Sequence, residues 1–191
     1  MTPLDAPRTT RHIGRVTVQT DETCPQRVGE YAGQAAEYVL RAIGTELEYD
    51  SDTLPLLDHY LRTVATDNAA TLELVVTTAG SYFGEVVRRQ LGGRWEGIEG
   101  DPHDWRVVLP TGLNVSQSGI VAAANVRKDD IDGFDTRIDA PPGMLTYVEQ
   151  ALARMGHTTK DDYFSLCGRL DTLEHLQEVL VAVAAQLSAS N

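Results

Sequence analysis

The stretch Gly80-Ser81-Tyr82-Phe83-Gly84-Glu85-Val86-Val87-Arg88-Arg89-Gln90-Leu91-Gly92-Gly93-Arg94-Trp95 divides the chain into two textures. The residues before it carry helical spacing, and a β-prone run starts where it ends. Leu72, Val75, Val76, Ala79, Phe83, Val86 and Val87 recur in steps of three and four, which places them on one stripe of a helix over 71–91. Glu73, Thr77, Ser81, Glu85 and Arg88 fall on the other side and are expected to face water. Gly80 and Gly84 stand four apart on one flank of the stripe. Glycine costs a helix about 1 kcal/mol relative to alanine, so the pair predicts close passage of another backbone there, a tight helix crossing being preferred over a groove where a ligand touches backbone. Gly92-Gly93 predicts the stop, because one of them can take the left-handed conformation that closes a last turn.

Arg88 and Arg89 lie where a helix C-terminus favours positive charge. Glu85 is spaced to pair with Arg89 at i+4. The preferred reading of these three residues is therefore a solvated helix end. The competing reading makes Glu85, Arg88, Arg89 and Trp95 a binding site, with a carboxylate, two guanidiniums and an aromatic ring gathered around the helix stop.

Outward from this helix, residues 1–22 are polar, contain proline and are expected to be mobile, with a short strand through Ile13, Val16 and Val18. Residues 23–191 are read as a single domain. Pro25 suits the first turn of a helix, and Val28, Tyr31, Ala32, Ala35, Val39, Ala42 and Ile43 follow at helical spacing to a stop at Gly44. Thr53 is the expected cap of a second helix, with Pro55 in its first turn and a stripe of Leu54, Leu57, Leu61 and Val64. Downstream, residues 94–99 and 105–109 read as short strands around the turn Gly100-Asp101-Pro102-His103. A third strand is expected at 113–115 and another over 134–138. A short helix over 116–125 is expected, capped by Ser118. Further helices are expected over 144–154, ending at Gly156, and from Thr159 through Tyr163. The last helix is expected to open with Asp171 and Glu174 as a capping box and to bury Leu173, Leu176, Leu180, Val183 and Leu187. Helices, then a small antiparallel sheet, then helices define an α+β class.

The 191 residues suffice for one full core, and 42% of them are hydrophobic. Acidic residues outnumber basic ones 28 to 16, for a net charge of -12. That field opposes nucleic acid and anionic membrane, and the richest basic patch is only Arg88, Arg89 and Arg94. The two cysteines, Cys24 and Cys167, form no CxxC pair, and residues 1–22 lack an apolar core of signal-peptide length. A cytoplasmic protein with reduced thiols is expected.

Common catalytic signatures are missing. No phosphate-binding loop ending in Gly-Lys-Ser/Thr, no dinucleotide fingerprint and no HExxH occurs. Around Ser116, Asn114 and Ser118 stand where a nucleophile elbow needs glycines. Residues 128–139 resemble a calcium loop through Asp130, Asp132 and Gly133, but Lys128 occupies the first position and Asp139 replaces the bidentate Glu. An exposed acidic turn is the preferred reading. His12, His59, His103, His157 and His175 are not paired. Asp101, His103 and Asp104 share one turn that could serve acid–base or metal chemistry, with a solvated hairpin tip preferred. Trp95 and Trp105 flank that hairpin and are read as anchors of sheet to helices. No cofactor and no stoichiometric metal is expected.

The central run, written as Gly-x-x-Phe-Gly-Glu-x-x-Arg-Arg-x-x-Gly-Gly-x-Trp, resembles a family of bacterial proteins known only as a domain of unknown function. Leu47-Glu48-Tyr49-Asp50 followed by Leu56-Leu57-Asp58-His59-Tyr60-Leu61 also resembles that group, as do Leu113-Asn114-Val115-Ser116 and Asp162-Tyr163-Phe164-Ser165. The likeness runs from about Gly44 onward and implies a shared fold without an activity. The leading functional expectation is a non-catalytic binding or protein-interaction domain. The alternatives are an enzyme or small-ligand binder at Glu85, Arg88, Arg89 and Trp95, and a structural part of a larger assembly.

Overall fold

The computed structural model describes residues 24–190. The strand expected through Ile13 to Val18 and the mobile segment expected at 1–22 lie outside them. The described elements run α1 (Gln26–Ile43), α2 (Leu54–Thr63), α3 (Ala69–Leu91), β1 (Arg94–Glu96), a 3-10 turn (Pro102–Asp104), β2 (Arg106–Val108), β3 (Asn114–Val115), α4 (Gln117–Val126), β4 (Ile138–Asp139), α5 (Leu145–Arg154), α6 (Lys160–Tyr163) and α7 (Leu166–Ala189). The class is α+β, as the order of textures predicts. The four strands form one antiparallel meander in the order β1-β2-β3-β4. Register places Trp95 opposite Val107, and Val115 opposite both Val107 and Ile138.

α3 is the axis of the molecule. Asn68 caps it by accepting from the Thr71 N–H at 2.9 Å, and Gly92 closes it at φ +72°. α1 packs along one side and α4 along another, with β2 and α7 also in contact. Every residue from Val75 to Arg88 is consequently buried. This overturns the expectation that Thr77, Ser81, Glu85 and Arg88 face water. The apolar stripe is real, but α1 and α4, the main covers, close over the other faces. The small hydroxyls tolerate this because they bond back along the helix, Ser81 to the Thr77 carbonyl and Thr78 to that of Leu74, both at 2.8 Å.

The paired glycines answer to two different neighbours. A Cβ on Gly80 would stand 3.3 Å from Cα of Ser118, so α4 crosses there backbone to backbone. A Cβ on Gly84 would overlap the Trp95 ring, with Cζ2 2.8 Å away. Gly119 on α4 is tighter still, because its Cβ would overlap the Asp135 carbonyl.

Helix ends differ from expectation in three places. Thr53 precedes α2 but makes no side-chain cap; its hydroxyl accepts from the Glu48 N–H and donates to Asp50. α4 starts after Ser116 and not at a Ser118 cap, and the Ser118 hydroxyl donates to the Pro102 carbonyl at 3.2 Å. α7 starts at Leu166, so Asp171 lies inside it and opens nothing. Ser165 caps it by accepting from the Gly168 N–H at 2.9 Å. Asp58 of α2 adds a second cap from across the core, accepting from the Leu166 N–H at 2.8 Å and the Cys167 N–H at 3.3 Å. A carboxylate at a helix N-terminus meets unpaired N–H groups and the positive end of the dipole. Leu173, Leu176 and Leu180 are buried on α7 as predicted, whereas Val183 is half-buried and Leu187 exposed. The strand expected over 134–138 shrinks to Ile138–Asp139.

Candidate functional site

Glu85, Arg88, Arg89 and Trp95 come together at the C-terminal end of α3. Helical spacing sets Arg88 and Arg89 one turn beyond Glu85. The Gly92-Gly93 stop then turns the chain so that β1 lays Trp95 back over Gly84. The Glu85 carboxylate accepts from four donors. Arg88 grips it with both arms of its fork, Nε to Oε2 at 2.9 Å and Nη2 to Oε1 at 2.8 Å. Arg89 Nε reaches Oε1 at 2.7 Å, and the Trp95 indole N–H reaches Oε2 at 3.2 Å. The Glu85 side chain is 1% exposed, that of Arg88 9% and that of Arg89 36%.

Burial pulls the Glu85 carboxyl upward, but the hydrogen bonds from Arg88, Arg89 and Trp95 outweigh it and hold the group below the ordinary glutamate value. The solvated helix end of the preferred reading is thus replaced by a closed ion-pair network. The expected Glu85–Arg89 pair is present within it, and Arg89 is the most exposed of its charged groups.

Two residues that the sequence did not assign to this site, Cys24 and Tyr49, complete the cluster. Cys24 leads into α1 beside Glu85. Burial first, and then the neighbouring carboxylate, push its thiol up to about 12. Tyr49 lies under the Arg89 guanidinium, 4.5 Å from the ring centroid, and stacks on Tyr82 at 4.5 Å. Its backbone is left-handed at φ +60°, where a non-glycine residue costs about 1 kcal/mol or more. The Tyr49 N–H donates to the Tyr82 hydroxyl at 2.6 Å, which holds that conformation. No local pattern in the sequence announces Tyr49 or Cys24, since each arrives from another element.

Trp105, fully buried, stands edge-on to Trp95 at 6.3 Å and tilted against Tyr31 of α1 at 5.9 Å. Arg27 covers its ring at 5.0 Å and donates to the Ile98 carbonyl at 2.8 Å. Both tryptophans thus anchor sheet to helices, as their positions predict.

The remaining candidates do not converge. Asp101 accepts from the His103 N–H at 2.9 Å, which closes its own turn, and the His103 ring packs on Phe134 at 4.9 Å. In the acidic loop, Asp130 and Asp132 are exposed, and the residue that is engaged is Asp129. It accepts from the Tyr163 hydroxyl at 2.9 Å and pairs with Arg169 at 3.5 Å. Among the described residues no group of three or more His, Cys, Asp or Glu is placed to hold a metal ion. Cys167 sits at the start of α7 beside Asp58, and both cysteines are free thiols. Among the described residues no helix is long and apolar enough to cross a membrane.

Comparison of the chain with protein-family models, with curated proteins and with solved structures finds no match.

Proposed function

We propose that the protein is a non-catalytic binding domain acting through contacts with another protein. One observation carries this reading. The charged cluster with the best claim to chemistry is spent on itself, because Glu85 is filled by donors from Arg88, Arg89 and Trp95. A general base needs a lone pair aimed at substrate, and a nucleophilic cysteine needs a lowered pKa. Glu85 is sealed and Cys24 is raised. The network is better suited to fastening α3, β1 and the α1–α2 connection to one another than to turning over a ligand. A cytoplasmic location accords with the free thiols, and a bacterial origin rests on the resemblance of the Gly80–Trp95 run.

A second reading has its own observation. Arg89 keeps an exposed edge above the strained Tyr49, which would suit a small anionic or aromatic ligand. Crosslinking affinity capture from native lysate, followed by mass spectrometry of proteins and small molecules, separates the two. A protein partner recovered in stoichiometric amount is the expected result. A small molecule retained by the wild type and lost in Arg89→Ala would overturn it in favour of the second reading.

A further inference from the structure

α7 outruns the core that covers it. Its inward positions Leu166, Leu170, Leu173, Leu176 and Leu180 are buried, and beyond Leu180 the helix has no fully buried residue. Two hollows flank this stretch and share Val181, which is 57% exposed. The first, about 610 Å³, lies between Leu91 at the end of α3 and Glu174, Gln177, Glu178, Val181 and Ala182. The second, about 300 Å³, lies between Pro110, Thr111, Met144, Leu180, Val181 and Ala184.

Their chemistry is graded along the helix. In the first hollow every unspent polar group is an acceptor. Glu174 and Glu178 supply carboxylates, one Glu174 oxygen already accepting from the Gln90 amide, and no Lys or Arg lines the space. Gln177 spends its amide N–H on the Leu91 carbonyl at 3.0 Å, which leaves its buried Oε1 with no hydrogen-bond partner among the described residues. Asp171 extends the acidic row one turn earlier on the same face. The second hollow is apolar apart from the Thr111 hydroxyl, whose oxygen is likewise unpartnered among the described residues. From Gln177 to Ala184 the helix rises about 10 Å, or roughly two turns.

We propose that this trough on α7 receives an amphipathic helix of a partner protein. The partner sets a Lys or Arg side chain among Glu174, Gln177 and Glu178 and, about two turns away, an apolar side chain against Val181, Met144 and Ala184. The cation answers the acidic row; the apolar side chain covers the exposed valine. The proposal rests on the protein-binding reading and names its surface.

The test is fluorescence anisotropy with a fluorescein-labelled synthetic Leu–Lys amphipathic helix of about 14 residues, roughly four turns, titrated with the full chain at physiological salt. Saturable one-to-one binding is expected, with no binding of the matching Leu–Glu helix. Glu174→Lys combined with Glu178→Lys, and separately Val181→Asp, should each raise Kd about tenfold or more. Asp67→Lys combined with Glu73→Lys makes the same charge change near the other end of α3 and should leave Kd within about twofold. Val181 is exposed, so unchanged melting of Val181→Asp verifies that folding is intact. Four results each overturn the proposal. They are no saturable binding by the wild type, equal weakening by both charge pairs, indifference to Val181→Asp, and a dimer in sedimentation that Val181→Asp dissolves. The last would give the trough to a second copy of the chain. A protein partner captured from lysate alongside a failed titration removes the surface and leaves the binding reading standing.

Discussion

At the scale of single residues, Glu85 is the position where burial reverses the meaning of a sequence pattern. Glu-x-x-Arg-Arg at the end of a helix is ordinary surface chemistry, and its truncation on a surface changes stability by under about 0.5 kcal/mol. Here the carboxylate is sealed under Trp95, so Glu85→Ala leaves the Arg88 guanidinium buried without it. Breaking a buried pair this way typically costs about 3–5 kcal/mol, and urea melts should show a loss of that order. The network also carries a pH signature. Glu85 sits below its ordinary value in the folded state, so the unfolded chain takes up the proton first as the pH falls. The contribution of Glu85 is complete above the unfolded value of about 4.3 and is lost as the pH falls through the folded value. The gap in melting temperature between wild type and Glu85→Gln should therefore be widest near neutral pH and narrow on acidification. Asp58, which burial raises, acts with the opposite sign, and comparison against Glu85→Gln cancels its contribution. A gap that stays constant from neutral pH to below pH 4 would show that Glu85 is not held as the anion.

At the scale of elements, α3 and α4 are built around missing side chains. Gly84→Ala gains about 1 kcal/mol of helix propensity, but its Cβ meets the Trp95 ring, and overpacking of this kind costs about 1–3 kcal/mol. A net loss is expected. Gly119→Ala should lose more, because a backbone carbonyl cannot rotate aside as a ring can. Denaturant midpoints in the order wild type, Gly84→Ala, Gly119→Ala check this, and a stabilised Gly84→Ala would mean the ring has room to move. Gly84→Leu, with more volume, should fall below Gly84→Ala. These elements also mark what the sequence discloses. The 3.6-residue stripe and the Gly92 stop are local, and they are legible in α3. That its opposite face is also covered is not legible, because periodicity records only the apolar side and the cover comes from α1 and α4. The gathering of Glu85, Arg88, Arg89 and Trp95 is legible for the same local reason, since all four lie within eleven positions. Tyr49 and Cys24 join them only through packing.

At the scale of the whole molecule, the net charge of -12 sets what the surface can meet. Duplex and single-stranded DNA should show no mobility shift at physiological salt, since affinity for phosphate needs released counterions and a positive footprint. A salt-dependent shift would contradict this. The α+β class was legible because composition changes sharply at Gly92, from helical stripes to short β-prone runs divided by turns. The junction of α2 with α7 was not, since the Asp58 cap joins residues 108 apart and nothing near Asp58 advertises it.

That cap has a kinetic consequence. The Glu85 network closes within a few turns of one helix and its following strand, whereas the Asp58 contact must await the closure of a long loop. Contacts between distant positions are entropically expensive to form early. The Asp58 contact should therefore be absent from the transition state for folding, with α7 docking on the late side of the barrier. Asp58→Ala should then speed unfolding while leaving the refolding arm of the chevron in place, which is the behaviour of a contact formed after the barrier. A slowed refolding arm would instead make the α2–α7 junction part of the folding nucleus. If the arm stays put, Asp58 serves as a kinetic lock that governs how long the finished molecule lasts and leaves the speed of its assembly to α3.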